Sequence, residues 1–190
     1  MENSLHTLQL FQGMQQPEVA ALLRCFDACV KDPPERADSV MIVLHGGMLL
    51  AQEDVRGNRT ILGFYGPGEF IGGYGAFDII ARPGTQCLLL GQKSLCEKAC
   101  LEHSRFAQNL AECMHSAQAR LLRKLDILSR RTTREKILCS LSQWSDGVLP
   151  FNRQEFADYL CVDRSAMCTE LSRMQRDGLL RLSGRNFELL

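Results

Sequence analysis

No apolar run in this 190-residue chain approaches the ~18 residues of a membrane span, so a helical membrane protein is not expected. The start, Met1-Glu2-Asn3-Ser4, lacks the basic and apolar stretches of an export signal, which points to a cytoplasmic protein. There is no net charge: 22 Lys+Arg stand against 22 Asp+Glu, and on average nothing calls for a polyanionic partner. The nine cysteines are odd in number and contain no CxxC pair, which argues for a reducing compartment over a disulfide framework. No Gly-Lys-Ser/Thr follows the glycine-rich residues 66–75, so they are not a P-loop. Histidine is scarce as well. His45 is the one histidine between His6 and His103, too few for the His/Glu metal set of an enzyme on a cupin-like barrel. No catalytic residues and no metal site are therefore expected, and the chain is not read as an enzyme.

What is present is ordinary for a globular chain of one or two small domains, at 45% apolar and 23% charged residues. The zero charge conceals a division. Residues 1–95 carry 7 Lys+Arg against 10 Asp+Glu, a balance of −3, and residues 96–190 carry 15 against 12, a balance of +3. Helical spacing of Val19, Leu22, Leu23 and Phe26 predicts a helix from Pro17 to about Cys29, with proline in its first turn. Past Pro33-Pro34 the pattern becomes short apolar runs between turn residues: 40–44, 48–51, 60–65 and 87–90. That spacing suggests a small antiparallel barrel or sandwich. Cys25/Cys29 and Cys96/Cys100 are each four apart and would share helix faces, either as thiolate ligands or as small buried apolar groups.

From Cys96 the period is helical. Leu110, Met114, Ala117, Leu121 and Leu128 form an a/d seam over about three heptads, read as a dimer interface, with Lys124 where the seam would want an apolar residue. Thr132 with Glu135 makes a capping box that ends one helix and begins another, which carries Ile137, Leu138, Leu141 and Trp144 and ends near 145–147. Asn152 with Glu155 repeats the device, and Phe156, Ala157 and Leu160 give that short helix an inward face. Cys161-Val162-Asp163 is a tight turn, and Asp163 caps a helix from about Arg164 to Arg176 that ends at Gly178. Residues 179–182 and 187–190 flank Ser183-Gly184-Arg185-Asn186, a hairpin turn.

The order of these elements is that of a helix-turn-helix followed by a wing. Its second helix would enter the major groove of double-stranded DNA with its N-terminal side chains toward the bases. Arg164 can donate two hydrogen bonds to a guanine, and Ser165 and Thr169 are placed for shorter contacts. Arg173 shares that polar face, while Arg153, Gln154 and Arg185 are placed for backbone phosphates. A helical hairpin used for protein contact is the alternative.

Residues 39–190 resemble the superfamily of the cyclic-AMP receptor protein and the fumarate-nitrate reductase regulator (Crp/Fnr). The resemblance rests on Gly66-Pro67-Gly68-Glu69-Phe70-Ile71-Gly72, the long helix, and the run from Phe151 to Met167, which is similar to regulators common in anaerobic Firmicutes. It implies an α+β fold in three parts. Residues 1–95 would be a cyclic-nucleotide-binding-like β-barrel that senses an effector, 96–131 a dimerisation helix, and 132–190 a winged helix-turn-helix. It implies a homodimer on near-palindromic promoter DNA, RNA polymerase as a further partner, and an effector pocket around Phe70, Gly72, Gly73, Tyr74 and Arg82. The departures argue against cyclic AMP. Gly73 stands where cyclic-nucleotide binders place a glutamate, and Arg82 is followed by Pro83 rather than Ser or Thr, which removes the main phosphate donors. The cysteine cluster of iron–sulfur oxygen sensors is also absent; a redox- or metal-sensing input through Cys96, Cys100 or Cys113 remains the alternative. Relative to the family, material is missing between Val30 and Ser39, Ile79 and Gln86, and Asp146 and Phe151. Either the sensor is pared down or segments are absent from the chain.

Overall fold

The computed structural model describes residues 8–26, 28–35, 40–72, 77–90, 102–144 and 147–190. After a single 3-10 turn, Gln9–Phe11, the first helix α1 is Gln16–Cys25, with proline in its first turn as the sequence suggests. It stops four residues short of the expected end. Phe26 closes it, Ala28 N–H returns to the Leu23 carbonyl at 2.9 Å, and Cys29–Lys31 is strand β1. Cys29 is thus in a strand and shares no helix face with Cys25. Helical spacing signals where an amphipathic helix lies but is silent on a short edge strand that follows at once.

Six more strands follow: β2 (Val40–His45), β3 (Met48–Glu53), β4 (Arg59–Tyr65), β5 (Phe70–Ile71), β6 (Asp78–Ala81) and β7 (Gln86–Leu90). They form two antiparallel sheets, ordered β1-β7-β2-β5 and β4-β3-β6. Among the described residues these sheets are open, so the expected barrel is abridged and not closed. The two residues between β2 and β3 carry the chain from one sheet to the other. Gly46 sits at φ 76°, and a Cβ there would meet the Thr85 backbone at 2.8 Å, so only glycine fits. Thr85 holds the corner: its hydroxyl accepts from Gly47 N at 3.1 Å and lies 2.8 Å from the Gly47 carbonyl. The β6–β7 link, where the family comparison sees material missing, is the tight turn Arg82-Pro83-Gly84-Thr85, with Thr85 N donating to Arg82 O at 3.1 Å.

The long helix α2, Ser104–Ser129, turns Phe106, Asn109, Cys113, Ala117, Lys124 and Ile127 inward, the three-four spacing of one buried stripe. Phe106 packs on Phe26 with ring centroids 5.4 Å apart, in a core with Leu10, Phe11, Leu22 and Ile42. Asn109 crosses that core to donate to the Leu10 and Gln12 carbonyls at 3.0 and 2.9 Å. Beyond α2 lie α3 (Thr133–Leu141), α4 (Arg153–Leu160), α5 (Arg164–Arg176) and the hairpin β8 (Leu180–Ser183) and β9 (Asn186–Leu189). The helix expected to reach residues 145–147 ends at Leu141 instead. The chain forms two compact units: Met1–Gln52 with Phe64–Arg120, and Glu53–Gly63 with Leu121–Leu190. Among the described residues, no helix is long and apolar enough to cross a membrane.

Candidate nucleic-acid interface

Local chemistry sets each element of the C-terminal unit. Thr132 Oγ1 accepts from Glu135 N at 3.2 Å while Glu135 returns the bond to Thr132 N at 3.0 Å, closing the first turn of α3. Asn152 and Glu155 do the same for α4 at 2.9 and 2.8 Å. Between α4 and α5 the chain reverses at Cys161, whose φ of 51° makes it the one non-glycine described residue in the left-handed region. Val162 N–H then donates back to the Ala157 carbonyl at 3.1 Å, a Schellman-type closure. Asp163 caps α5 by accepting Ala166 N–H at 2.9 Å. Ser165 Oγ donates to the same carboxylate oxygen at 2.5 Å, and these bonds, that of Ser165 foremost, hold the Asp163 carboxyl below its usual range.

Packing then orients the helices. Ala157 is fully buried, and Leu160, Met167, Leu171 and Met174 fill the interior with it. Phe151 stacks on Tyr159 at 4.7 Å between ring centroids and meets Trp144 edge-on at 5.9 Å. Gly178, at φ 71°, ends α5 as its position in the sequence suggested. A feature the sequence hid is a third rung on the wing. Residues 147–149 run beside β9: Phe187 N–H donates to Gly147 O at 2.7 Å, Leu149 N–H to Arg185 O at 2.9 Å, and Val148 bridges Asn186. A Cβ on Gly147 would lie 2.8 Å from the Phe187 carbonyl, so the glycine is the only hint in the sequence.

Cations in this unit fall into two sets. Some are held by the protein. Arg134 on α3 clasps α5, with Nε 2.5 Å from Glu170 and Nη2 2.8 Å from Asp177 at its C-terminal cap. Those carboxylates, Glu170 first, raise its pKa further. Arg181 pairs with Glu188 across the wing at 2.7 Å. Lys124, on α2, is 3% exposed, donates to the Tyr159 carbonyl and lies 3.9 Å from the centre of the Tyr159 ring. Burial, with a smaller push from Lys136, lowers its pKa to about 8. Lys136 donates to the next carbonyl, Leu160 O, at 3.2 Å, so two ammonium groups close the C-terminal end of α4. Lys124 therefore does not interrupt a dimer seam; it lies inside its own unit.

The second set faces solvent. Arg164 and Arg185 are exposed and Arg153 is half-buried, and among the described residues no carboxylate pairs with any of the three. Arg173 is exposed and only loosely paired, 3.6 Å from Glu170. Thr169 and Gln154 are exposed, and Gln154 Nε2 donates to Asp158 at 2.7 Å. The structure thus places Gln154 on α4 and Arg164, Ser165, Thr169 and Arg173 on α5, with Arg153 at the start of α4 and Arg185 on the wing turn.

The other expected residues are distributed as follows. Of the seam, Met114 and Leu121 are exposed, Leu110 and Leu128 are half-buried, and Ala117 is 7% exposed, covered by the chain itself. The inward stripe of a single helix repeats with the same spacing as a coiled-coil seam, which is why the sequence pattern merged the two. Leu122 and Leu125, at 58% and 59% exposure, complete an outward apolar stripe that the seam pattern omitted. Of the effector residues, Phe70 is buried and Gly72 and Arg82 are half-buried; Gly73 and Tyr74 lie outside the described residues. The neighbouring turn is closed on itself. Gly68 N donates to Val43 O at 2.8 Å, Glu69 N to Gly66 O at 3.1 Å, and Gly66 N to Glu69 Oε2 at 2.6 Å. Glu69 Oε1 in turn receives Arg120 at 2.5 Å. Cys96 and Cys100 also lie outside the described residues. Cys113 is buried, and burial pushes its thiol up to about 11, away from the thiolate a metal or oxidant needs.

Residues 119–190 match the Crp-like helix-turn-helix domain. The transcriptional activator protein FnrL of Cereibacter sphaeroides is 28% identical over 178 residues, covering 80% of this chain and 68% of that protein. The nitrogen fixation regulation protein FixK of Bradyrhizobium diazoefficiens is 26% identical over 166 residues, 78% of this chain and 68% of that protein. Two solved structures share the fold. FixK2 from Bradyrhizobium japonicum has a TM-score of 0.67 at 24% identity, covering 85% of this chain and 91% of that one. A CooA mutant from Carboxydothermus hydrogenoformans has 0.74 at 15% identity, covering 99% and 89%.

Proposed function

We propose that this chain is a DNA-binding transcription regulator of the Crp/Fnr family that reads a near-palindromic promoter site as a homodimer in the cytoplasm, without catalytic activity of its own. The observation that carries the proposal is the placing of Arg153, Arg164 and Arg185 on the helix-turn-helix and wing, facing solvent with no carboxylate partner among the described residues and so free to meet phosphates and bases. Arg164, at the first position of α5, reads a guanine. Ser165 has given its single hydroxyl proton to Asp163, so it meets a base as an acceptor, which suits the amino group of adenine or cytosine. Thr169 and Arg173 extend that face, and Arg153, Gln154 and Arg185 fix the register on the backbone.

The second copy lies against the outward stripe of α2, Met114, Leu121, Leu122 and Leu125, with Leu110 and Leu128 at its margin. Dimer half-sites then fall about 34 Å apart. An unidentified effector at the N-terminal sheets, near Phe70, Gly72, Gly73, Tyr74 and Arg82, shifts the population of recognition-helix spacings. Cyclic AMP is not the effector expected: Gly73 stands where cyclic-nucleotide binders place a glutamate, Pro83 follows Arg82, and the N–H groups of Gly66, Gly68 and Glu69 are engaged internally. RNA polymerase is the further partner; the run 151–167 resembles regulators common in anaerobic Firmicutes, whereas the relatives FnrL and FixK come from Cereibacter and Bradyrhizobium. Selection of bound duplexes from a random pool at stated salt tests the proposal. Two inverted half-sites one helical turn apart are expected, and enrichment of single, unpaired sites would overturn the dimer.

A further inference from the structure

The tip of the β3–β4 hairpin, Glu53–Gly63, belongs to the same compact unit as the winged helix. It is internally braced. Asp54 Oδ1 accepts the backbone N–H groups of Arg56 and Asn58 at 2.8 and 2.9 Å, and Oδ2 accepts Asn58 Nδ2 at 2.9 Å. These bonds, that from the Asn58 side chain foremost, hold the Asp54 carboxyl below its usual range. From this tip Arg59 reaches α4. Its Nη2 and Nε lie 2.7 and 2.8 Å from one oxygen, Asp158 Oδ2. The Asp158 side chain is only 11% exposed and that of Arg59 35%, so the pair is partly withdrawn from water. Alongside, Thr60 Oγ1 stands 3.9 Å from Cys161 Sγ at the helix-turn-helix reversal.

Tip and helix-turn-helix enclose an open cleft of about 750 Å³, with Arg59 and Thr60 on one wall and Gln154, Asp158, Cys161 and Arg164 on the other. Small-ligand sites run to roughly 300–1,000 Å³, whereas a duplex presents a major groove about 12 Å wide with its backbones on either side. Gln154 and Arg164 remain open to water, and the hairpin tip lines the same cleft opposite them. Asp158 Oδ1 already receives Gln154 from its own helix, and Oδ2 is the oxygen that Arg59 holds.

We infer that the Arg59–Asp158 ion pair is an autoinhibitory latch: it holds the hairpin tip beside the start of the recognition helix and must open before a duplex seats on Gln154 and Arg164. A partly exposed pair is weak enough to open in response to a signal and strong enough to shift a two-state population by about threefold to tenfold. Arg59 is the first residue of β4, which continues to Tyr65, so displacement of that strand moves the guanidinium directly. The inference rests on the DNA-binding assignment.

The test uses the full chain and a duplex taken from the random-pool selection, followed by fluorescence anisotropy across a salt series, with circular dichroism to confirm folding. Arg59→Ala and Asp158→Asn should each tighten binding about threefold to tenfold, with the salt slope unchanged. The exchanged pair, Arg59→Asp with Asp158→Arg, should return affinity toward the wild-type value. Unchanged affinity in both single variants overturns the latch. So does weaker binding by Arg59→Ala with a salt slope reduced by about one, which would make Arg59 a phosphate contact. If neither wild type nor any variant binds duplex DNA, the DNA-binding assignment has failed and the latch falls with it.

Discussion

The glycine-rich turn at 66–69 and the helix-turn-helix at 153–176 both carry groups suited to binding an anion, and they differ in what those groups already hold. In the turn, the N–H groups of Gly66, Gly68 and Glu69 donate within the protein, and the Glu69 carboxylate is shared between Gly66 and Arg120. In the helix-turn-helix, Arg153 and Arg164, together with Arg185 on the wing, have no carboxylate partner among the described residues. A buried donor must find a partner within the fold, and a donor that has found one is a poor ligand for anything else. Engagement, more than the presence of charge, therefore separates scaffold from binding surface here. Net charge makes the same point. The chain balances to zero, yet Arg153, Arg164 and Arg185 stand without a carboxylate among the described residues on the helix-turn-helix and wing.

The largest expected effect tests the most fully engaged cation. Lys124 has its pKa lowered to about 8 by burial, whereas an unfolded lysine titrates near about 10.4. Between those values the unfolded chain holds a proton that the folded one has released, so this group makes stability rise with pH; below about 8 both states hold it and its contribution is flat. Lys124→Met should abolish that rise. The difference in unfolding free energy between wild type and variant, from urea titrations, should change by about 2–3 kcal/mol from about pH 7 to about pH 10. Cys87 and Cys113, both pushed up to about 11 by burial, titrate in both proteins and cancel. A pH-independent difference would mean that Lys124 is not buried as a charge.

Next comes Arg164, proposed to read a base. Arg164→Ala should cost about 1–3 kcal/mol of specific affinity and relax preference at one base pair, seen by repeating the selection with the variant. An unchanged site and affinity would remove α5 as the recognition helix. Arg185→Ala, at the proposed phosphate contact, should weaken all sequences alike and reduce the salt slope by about one. Loss confined to particular sequences would instead make the wing a reader. The smallest effect sharpens the scaffold side. Cys161→Gly relieves a left-handed φ and should raise stability by roughly 0.5–1 kcal/mol, seen as a higher thermal midpoint; a lower midpoint would show that the thiol's contacts outweigh the backbone strain.

Much of the winged helix was legible because its signals are local. The capping pairs Thr132/Glu135 and Asn152/Glu155 act over three residues, Asp163 caps its own helix, and Gly178 and Gly184 turn the chain where they stand. The bounds Arg164–Arg176 follow from these signals alone. The N-terminal half was less legible. Strand runs at 40–44, 48–51, 60–65 and 87–90 announced themselves and became β2, β3, β4 and β7, but β1, β5 and β6 are too short to show alternation. Their assignment depends on partners far along the chain, as Cys29 opposite Leu89 shows.

By itself, then, the sequence determined the helix caps, the turn glycines, the apolar faces and the order of elements, because each depends on neighbours within about one helical turn. Tertiary structure alone decided which charges stay free. That Lys124 lies over Tyr159, Arg134 clasps Glu170 and Asp177, and Arg59 meets Asp158 depends on pairs 35 to 99 residues apart. A guanidinium has the same composition whether it holds a carboxylate or awaits a phosphate; only the folded chain, by bringing the carboxylate within about 3 Å, makes the difference.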